Sequence, residues 1–262
     1  SVLPRPQVVG LSKPHHRNWR ALVILALGNL ITAGDKAQSK PNFTGTWSTS
    51  WGPMELTQSK GGQVQGTYGF AKGGTVKGTV SRDGTWTFEW RNRGNSGEAS
   101  ATLWQNRNGF TGNADGRFFG AYRATPDLPK PVPGKIVTGV TSSLLRVHVR
   151  APRKWKPSKS WPALVILHGS NMTAKAYVNT IASAWPKLAE RYVLLGFDGE
   201  RLSPGATPDN LSFNYTYINF SGEGVGESSR YNQSPGLLAK AMEEVQREWK
   251  LDSFLVGGHS QG

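Results

Sequence analysis

Between Asn42 and about Thr125 the chain alternates apolar and polar residues. In "GTWTFEW", Trp86, Phe88 and Trp90 fall on one side of a strand and Thr85, Thr87 and Glu89 on the other. "QVQGTYGF" repeats the pattern, with Val64, Tyr68 and Phe70 opposed to Gln63, Gln65 and Thr67. A period of two means strands. Breakers recur between them: Gly-Gly at 61–62 and 73–74, "RDG" at 82–84, "NRNG" at 106–109 and "NADG" at 113–116. The pattern predicts a meander of roughly six to eight antiparallel strands, closing into a small barrel or sandwich. Gly-aromatic triplets begin at 45, 66, 84 and 120, spaced too irregularly for a solenoid. They suit a tightly curved sheet, where a ring covers the missing side chain. Trp47, Trp51, Trp86, Trp90 and Trp104 offer either a sugar-stacking platform or core filling. A module this small needs large apolar groups inside, which favours the core.

After "TPDLPKPVPGK", a stiff linker with four prolines, the period changes. "SSLLRVHVRAP" predicts a strand, and "WPALVILHGS" a fully buried one, continuous from Ala163 to Leu167. "TAKAYVNTIASAWPKLAERY" places Val178, Ile181, Ala182, Trp185 and Leu188 at helical spacing, and Pro186 starts a second short helix. "YVLLGFDG" is the next buried strand. A long polar stretch follows, from Glu200 to Gln233, in which Phe213, Tyr215, Tyr217 and Phe220 either line a pocket or pack the loop down. A helix then begins with Ser234 as cap and Pro235 at its first position, burying Leu238, Ala241, Met242, Val245 and Trp249. "SFLVGGHSQG" is strand into turn. The expected class is α/β: the front half of a doubly wound sheet, preceded by the small all-β meander.

The start of the chain changes the picture of location. A basic flank at Arg17 and Arg20 precedes an apolar run from Ala21 to Ala33, then small residues at 32–34. That order is a secretory signal, too short to cross a bilayer comfortably. The expected organisation is a signal peptide over 1–34, a linker over 35–41, the meander over 42–125, a Pro-rich linker over 126–136, and an α/β domain over 137–262. A secreted or periplasmic protein with no stable membrane span follows.

Charge changes little. The net +14 divides into +5 over residues 1–41, +4 over 42–125 and +5 over 126–262. Spread so evenly, it argues against nucleic acid as a partner. The densest run, "RVHVRAPRKWKPSKSW", reads as a solvated connection. Without cysteine, disulfides and thiolate chemistry are excluded. No cofactor or metal motif stands out. "GEGVGE" lacks both the preceding strand and the following Gly-Lys-Ser/Thr of a nucleotide loop.

The chemistry lies in Gly258-His259-Ser260-Gln261-Gly262. Gly-x-Ser-x-Gly carries a nucleophilic serine on a tight strand-to-helix turn. Side chains at Gly258 and Gly262 would clash there. The motif follows an apolar strand that itself follows an amphipathic helix, so its context fits. With "WPALVILHGS" upstream and "VGGHSQG", residues 137–262 resemble the secreted serine esterases of the α/β-hydrolase fold. The polyhydroxyalkanoate-depolymerase-like and phospholipase/carboxylesterase-like groups are nearest. "WGPMELTQ" with "QVQGTYG" resembles small β-meander modules appended to secreted enzymes.

The resemblance implies Ser260 as nucleophile. It implies an oxyanion hole from the backbone N–H of Gln261 and Ser170, with Gly258, Gly262, His168 and Gly169 bracing the elbow and the oxyanion loop. The triad acid and histidine follow the serine in this family. Asp198 precedes it and is rejected, and the acid and base are expected beyond the given sequence, in a longer protein. The substrate is a small or polymeric carboxylic ester. The alternatives are a serine peptidase on the same fold, or a non-catalytic protein that holds a glycan or surface through the β module. The module is expected to be dispensable for chemistry.

Overall fold

The computed structural model describes residues 41–49, 51–69, 73–199, 201–215 and 234–260. The expected signal peptide, Gln261, Gly262, Tyr217, Phe220 and Phe70 lie outside them.

The alternating region forms eight strands: β1 (Gly45–Thr49), β2 (Gly52–Gln58), β3 (Gln63–Tyr68), β4 (Gly74–Val80), β5 (Thr85–Asn92), β6 (Asn95–Leu103), β7 (Gly109–Ala114) and β8 (Arg117–Arg123). Each pairs antiparallel with the next, and β8 returns to β1, with Trp47 opposite Arg123, closing a barrel. The period-two residues point inward. Phe43, Trp47, Trp86, Phe110 and Phe119 fill the interior at 0–1% exposure. Trp86 stacks on Phe88 at 3.8 Å, and Phe110 meets Trp47 edge-on at 4.9 Å. Each such ring removes enough apolar surface from water to contribute about 1.5–3 kcal/mol. Trp47 Nε1–H donates to the Phe43 carbonyl at 2.9 Å, so its one polar atom is satisfied. Trp47 and Trp86 are core, not platform. Trp51 and Trp90 pack half-buried on the same cluster.

The rest is a mixed five-stranded sheet in the order β15-β11-β12-β10-β9. β9 (Ile136–Val140) and β10 (Arg146–Arg150) form an antiparallel hairpin, and β10 is antiparallel to β12 (Val193–Phe197). β11 (Trp161–Leu167) is parallel to both β12 and β15 (Leu251–Gly258). A two-residue pair, β13 (Arg201–Leu202) with β14 (Phe213–Asn214), stands apart. Helices α1 (Ala174–Ala184) and α2 (Pro186–Ala189) pack near Ile166 and Leu194, and α3 (Ser234–Trp249) buries Leu237, Ala241, Val245 and Trp249 against Val165 and Leu195.

This corrects the expected class. The protein is mostly β, and no doubly wound α/β sheet is seen among the described residues. Strand-helix alternation is confined to a short part of the chain. Fifteen strands stand against three helices among the described residues, eight of the strands belong to the barrel, and the hairpin strand β9 was not anticipated. Antiparallel partners on one side leave only three strands in parallel register. Trp185 is a smaller correction. At φ −128° and ψ 68° it leaves the helical conformation ahead of Pro186, and it is 56% exposed, not buried.

The barrel does not hang free. Tyr122 of β8 donates its hydroxyl to the Leu144 carbonyl at 2.9 Å, in the turn between β9 and β10. Tyr122, Ala124, Leu144, Leu202, Ala206 and Phe213 share one buried cluster. That cluster lies beside the C-terminal end of β12, where Asp198 N–H donates to the Arg146 carbonyl.

Candidate active site

Parallel pairing brings the two motifs together. Leu167 of β11 lies opposite Gly258 of β15, so the chain leaves both strands at the same end of the sheet. His259 N–H then donates to the Leu167 carbonyl at 3.3 Å. Ser260 follows with φ +57° and its side chain exposed. A residue with a Cβ rarely adopts that backbone; where one does, tight packing around the turn holds it. Gly169 lies close beneath the turn: a Cβ there would sit 3.4 Å from Ser260 Cβ, in ordinary contact, and 3.2 Å from His259 Nδ1, which is tight. The His-Gly after β11 therefore runs directly under the elbow.

His168 is fully buried and fixed at both ring nitrogens. Its Nδ1–H donates to the Gly169 carbonyl at 2.7 Å, and its Nε2 accepts from Gly199 N–H at 3.1 Å. The two bonds define the tautomer. Burial pushes its pKa below the ordinary 6.5, against the bond to Gly169 and the charge of Asp198. A neutral imidazole with both nitrogens engaged braces the loop and is not a base for Ser260. His259 is exposed, and its Nδ1 is hydrogen-bonded to the Tyr177 hydroxyl of α1 at 2.8 Å.

Asp198 is fully buried and committed elsewhere. Its carboxylate accepts from His148 Nε2 at 2.9 Å and from Ala174 N–H at 2.7 Å, with Arg146 Nη1 at 3.4 Å. Burial alone would raise its pKa. The charge and hydrogen bond of His148, the charge of Arg146 and the Ala174 N–H outweigh burial and hold it below 3.8. The other nitrogen of His148 meets Thr138 Oγ1 at 2.8 Å, so this pair is also saturated. It ties β9, β10, β12 and the first residue of α1 together. Among the described residues His148 and His168 have both ring nitrogens engaged, while His259 is hydrogen-bonded through Nδ1 alone.

Ser170 is exposed on the turn after Gly169. Asn171, next to it, has φ +57°. Its N–H donates to Asn214 Oδ1 at 3.0 Å, and Asn214 Nδ2 returns a bond to Asn171 Oδ1 at 3.2 Å. Phe213 and Tyr215 pack rather than line a pocket. Phe213 is fully buried edge-on to Tyr122, and Tyr215 stacks on His168 at 4.5 Å. Tyr177 and Asn214 were not singled out by sequence. Asn214 meets Asn171 across 43 residues, through a two-residue strand with no periodic signature. Tyr177 lies on α1, half-buried beside Val178, and its hydroxyl reaches the turn after β15 only once the sheet has formed. No group of three or more His, Asp or Glu that could hold a metal occurs among the described residues. No helix there is long and apolar enough to cross a membrane.

No protein-family model matches the chain, and no curated protein matches it. Several solved structures are similar at a distance, two of them as follows. One comes from work on two prolyl endopeptidases and the role of inter-domain dynamics in catalysis and specificity. It is 12% identical, with a TM-score of 0.30, over 80% of this chain and 32% of that one. The other is a bifunctional GH43-CE protein of Bacteroides eggerthii. It is 9% identical, with a TM-score of 0.29, over 84% of this chain and 33% of that one. The chain thus spans about a third of the length of each. Likeness at this level carries no argument for activity, which rests on the site's own residues.

Proposed function

We propose that the protein is a serine hydrolase of carboxylic esters, with Ser260 as nucleophile, of the kind its elbow and His-Gly loop resemble. One observation carries this reading: Ser260, a residue with a side chain, sits exposed at φ +57° two residues past the end of β15, beside Gly169 of the loop that follows β11. Nucleophile elbows have this arrangement, because the strained turn lifts the hydroxyl clear of the sheet.

In this mechanism Ser260 Oγ attacks the ester carbonyl carbon as a histidine removes its proton. The carbonyl π electrons move to oxygen, and the N–H groups of Gln261 and Ser170 receive that charge. Each such donor typically contributes about 3 kcal/mol to the transition state. Collapse breaks the bond to the alkoxy oxygen, which takes the proton from the histidine and leaves as the alcohol; water then cleaves the acyl-serine by the same route. The histidine is not His168 or His148, whose nitrogens are both engaged. The base and its acid are proposed to come from outside the described residues, and the protein to act after export.

The test is turnover of short p-nitrophenyl esters by the full-length protein. Ser260→Ala is expected to lower kcat by on the order of 10⁴-fold or more. Unchanged turnover in Ser260→Ala would remove Ser260 from the mechanism. Cleavage of peptide but not ester substrates, still dependent on Ser260, would move the assignment to a peptidase.

A further inference from the structure

Three consecutive residues at the end of the 201–215 segment each grip the loop that follows β11. Phe213 N–H donates to the Met172 carbonyl at 2.9 Å. Asn214 exchanges two hydrogen bonds with Asn171, at 3.0 and 3.2 Å. The Tyr215 hydroxyl accepts from His168 N–H at 3.4 Å, donates to the Phe197 carbonyl, and its ring covers the His168 ring. The gripped loop has little core of its own, since Ser170, Asn171 and Met172 are all exposed. Its direction is set by polar links, and the sharpest bend, at Asn171, is where Asn214 closes its reciprocal pair.

The gripping segment is in turn seated on the barrel. Asn214 Nδ2 also donates to Ser203 Oγ at 2.9 Å, and Ser203 N–H donates to the Ser212 carbonyl at 2.9 Å. Next to Ser203, Leu202 is 1% exposed in the cluster with Tyr122 and Ala124, and it meets the barrel at Gly120, where a Cβ would lie 3.4 Å from Leu202 Cβ. Phe213 places its ring edge-on to Tyr122, with centroids 5.3 Å apart. A continuous path therefore runs from β8 through β13 and β14 to residues 170–172, beside Gly169 and the elbow.

We infer that Asn214 is a positioning residue for the oxyanion loop, and that barrel strand β8 sets where Asn214 stands. The inference rests on the proposed role of Ser170 N–H. An oxyanion donor acts only if its N–H already points at the developing charge. The Ser170 N–H lies in the Gly169–Ser170 peptide, whose carbonyl accepts from His168 Nδ1 at 2.7 Å. The next peptide, joining Ser170 to Asn171, would otherwise be free to turn, and Asn214 holds it by both the N–H and the side chain of Asn171. Asn214 touches no substrate; it fixes the far side of Ser170, so that the residue carrying the donor is held from both ends. This assigns the barrel a part in catalysis, against the expectation that the module is dispensable.

The experiment uses the full-length protein and reads two quantities: kcat and KM on p-nitrophenyl acetate, and amide hydrogen exchange of the peptide spanning 168–173. Asn214→Ala is expected to lower kcat about 10- to 100-fold with KM within about twofold. Exchange at 170–172 should quicken about tenfold, the loss of one to two hydrogen bonds. Asn214→Asp keeps the acceptor for Asn171 N–H and should protect those amides better than Asn214→Ala does. Leu202→Ala, remote from the elbow, should quicken exchange in the same peptide. Unchanged exchange at 168–173 in Asn214→Ala would overturn the inference. Exchange that responds to Asn214→Ala but not to Leu202→Ala would overturn the barrel's part in it. If the wild type shows no Ser260-dependent turnover, the hydrolase reading fails, and the exchange result still decides whether Asn214 and the barrel hold the loop.

Discussion

The barrel and the five-stranded sheet solve the same problem in different ways. In the barrel every strand is paired on both sides, and the interior is a stack of rings with fully buried Phe43, Trp47, Trp86 and Phe110. A closed sheet has no edge, so its order comes from nonpolar packing that needs nothing else. In the sheet, β15 is paired only with β11 among the described residues, and Leu255 and Val256 are 54% and 57% exposed. Ser170, Asn171 and Met172 after β11, and His259 and Ser260 after β15, are exposed as well, and Asn171 and Met172 are held by hydrogen bonds to Asn214 and Phe213. The sheet also buries a core of its own, around Val147, Val165, Leu195 and Phe197, but its proposed chemistry lies at an exposed end, and the narrow seam at Tyr122, Leu202 and Phe213 joins the two regions.

This contrast predicts that damage will separate. Trp86→Ala should cost the largest amount of stability, about 3–5 kcal/mol, because it opens a cavity among Phe43, Phe88 and Phe110. Denaturant unfolding checks it. A loss under about 1 kcal/mol would mean that the ring stack is not what holds the barrel. Gly112→Ala comes next. A Cβ there would sit only 1.8 Å from the Ser100 carbonyl oxygen of the neighbouring strand, so backbone must move. Overpacking of that kind costs about 1–3 kcal/mol. Asn214→Ala should do the reverse, leaving the unfolding midpoint nearly in place while kcat falls. If instead Trp86→Ala and Asn214→Ala changed stability alike, the division between the two regions would be lost.

The smallest effect concerns pH. The pKa of His168 lies below 6.5 in the folded protein, so at mildly acid pH the unfolded chain binds more protons than the folded one. Its contribution is therefore complete above about pH 6.5 and declines as pH falls toward the lowered folded value. Asp198 has the same sign at lower pH: its contribution is present above 3.8 and is lost as pH falls through the folded value. Tm should drop on acidification in two stages. His168→Asn, which can still donate to the Gly169 carbonyl, should flatten the upper stage only. A variant with the same slope between pH 5 and 7 would show that another group titrates there.

How much of this could be read from sequence differs between the regions. Alternation in "GTWTFEW" gave the barrel strands and their inward faces, because a closed meander is built from neighbours in sequence. The sheet's strands β11, β12 and β15 were also legible, since continuous apolar runs mark burial on both faces. The class was not. β9 carries a weak pattern, and nothing local says that β10 runs antiparallel to β12. Trp185 was misplaced because Pro186 ends α1 one residue before the apolar stripe would bury it. At the proposed site, Ser260, Gly169 and His168 stand out in sequence through motifs whose spacing reflects a local turn. Asn214, Tyr177 and the His148–Asp198 pair were missed, because their partners lie 43, 82 and 50 residues away. Such contacts exist only after the sheet has formed.

The most direct measurement of the central claim is covalent. A fluorophosphonate probe, which reacts only with a serine made nucleophilic by a base, would be applied to the full-length protein, and the adduct mapped by mass spectrometry. The account predicts stoichiometric modification on the peptide that contains Ser260, lost in Ser260→Ala and slowed in Asn214→Ala. Modification at a different serine, or labelling that persists undiminished in Ser260→Ala, would contradict it.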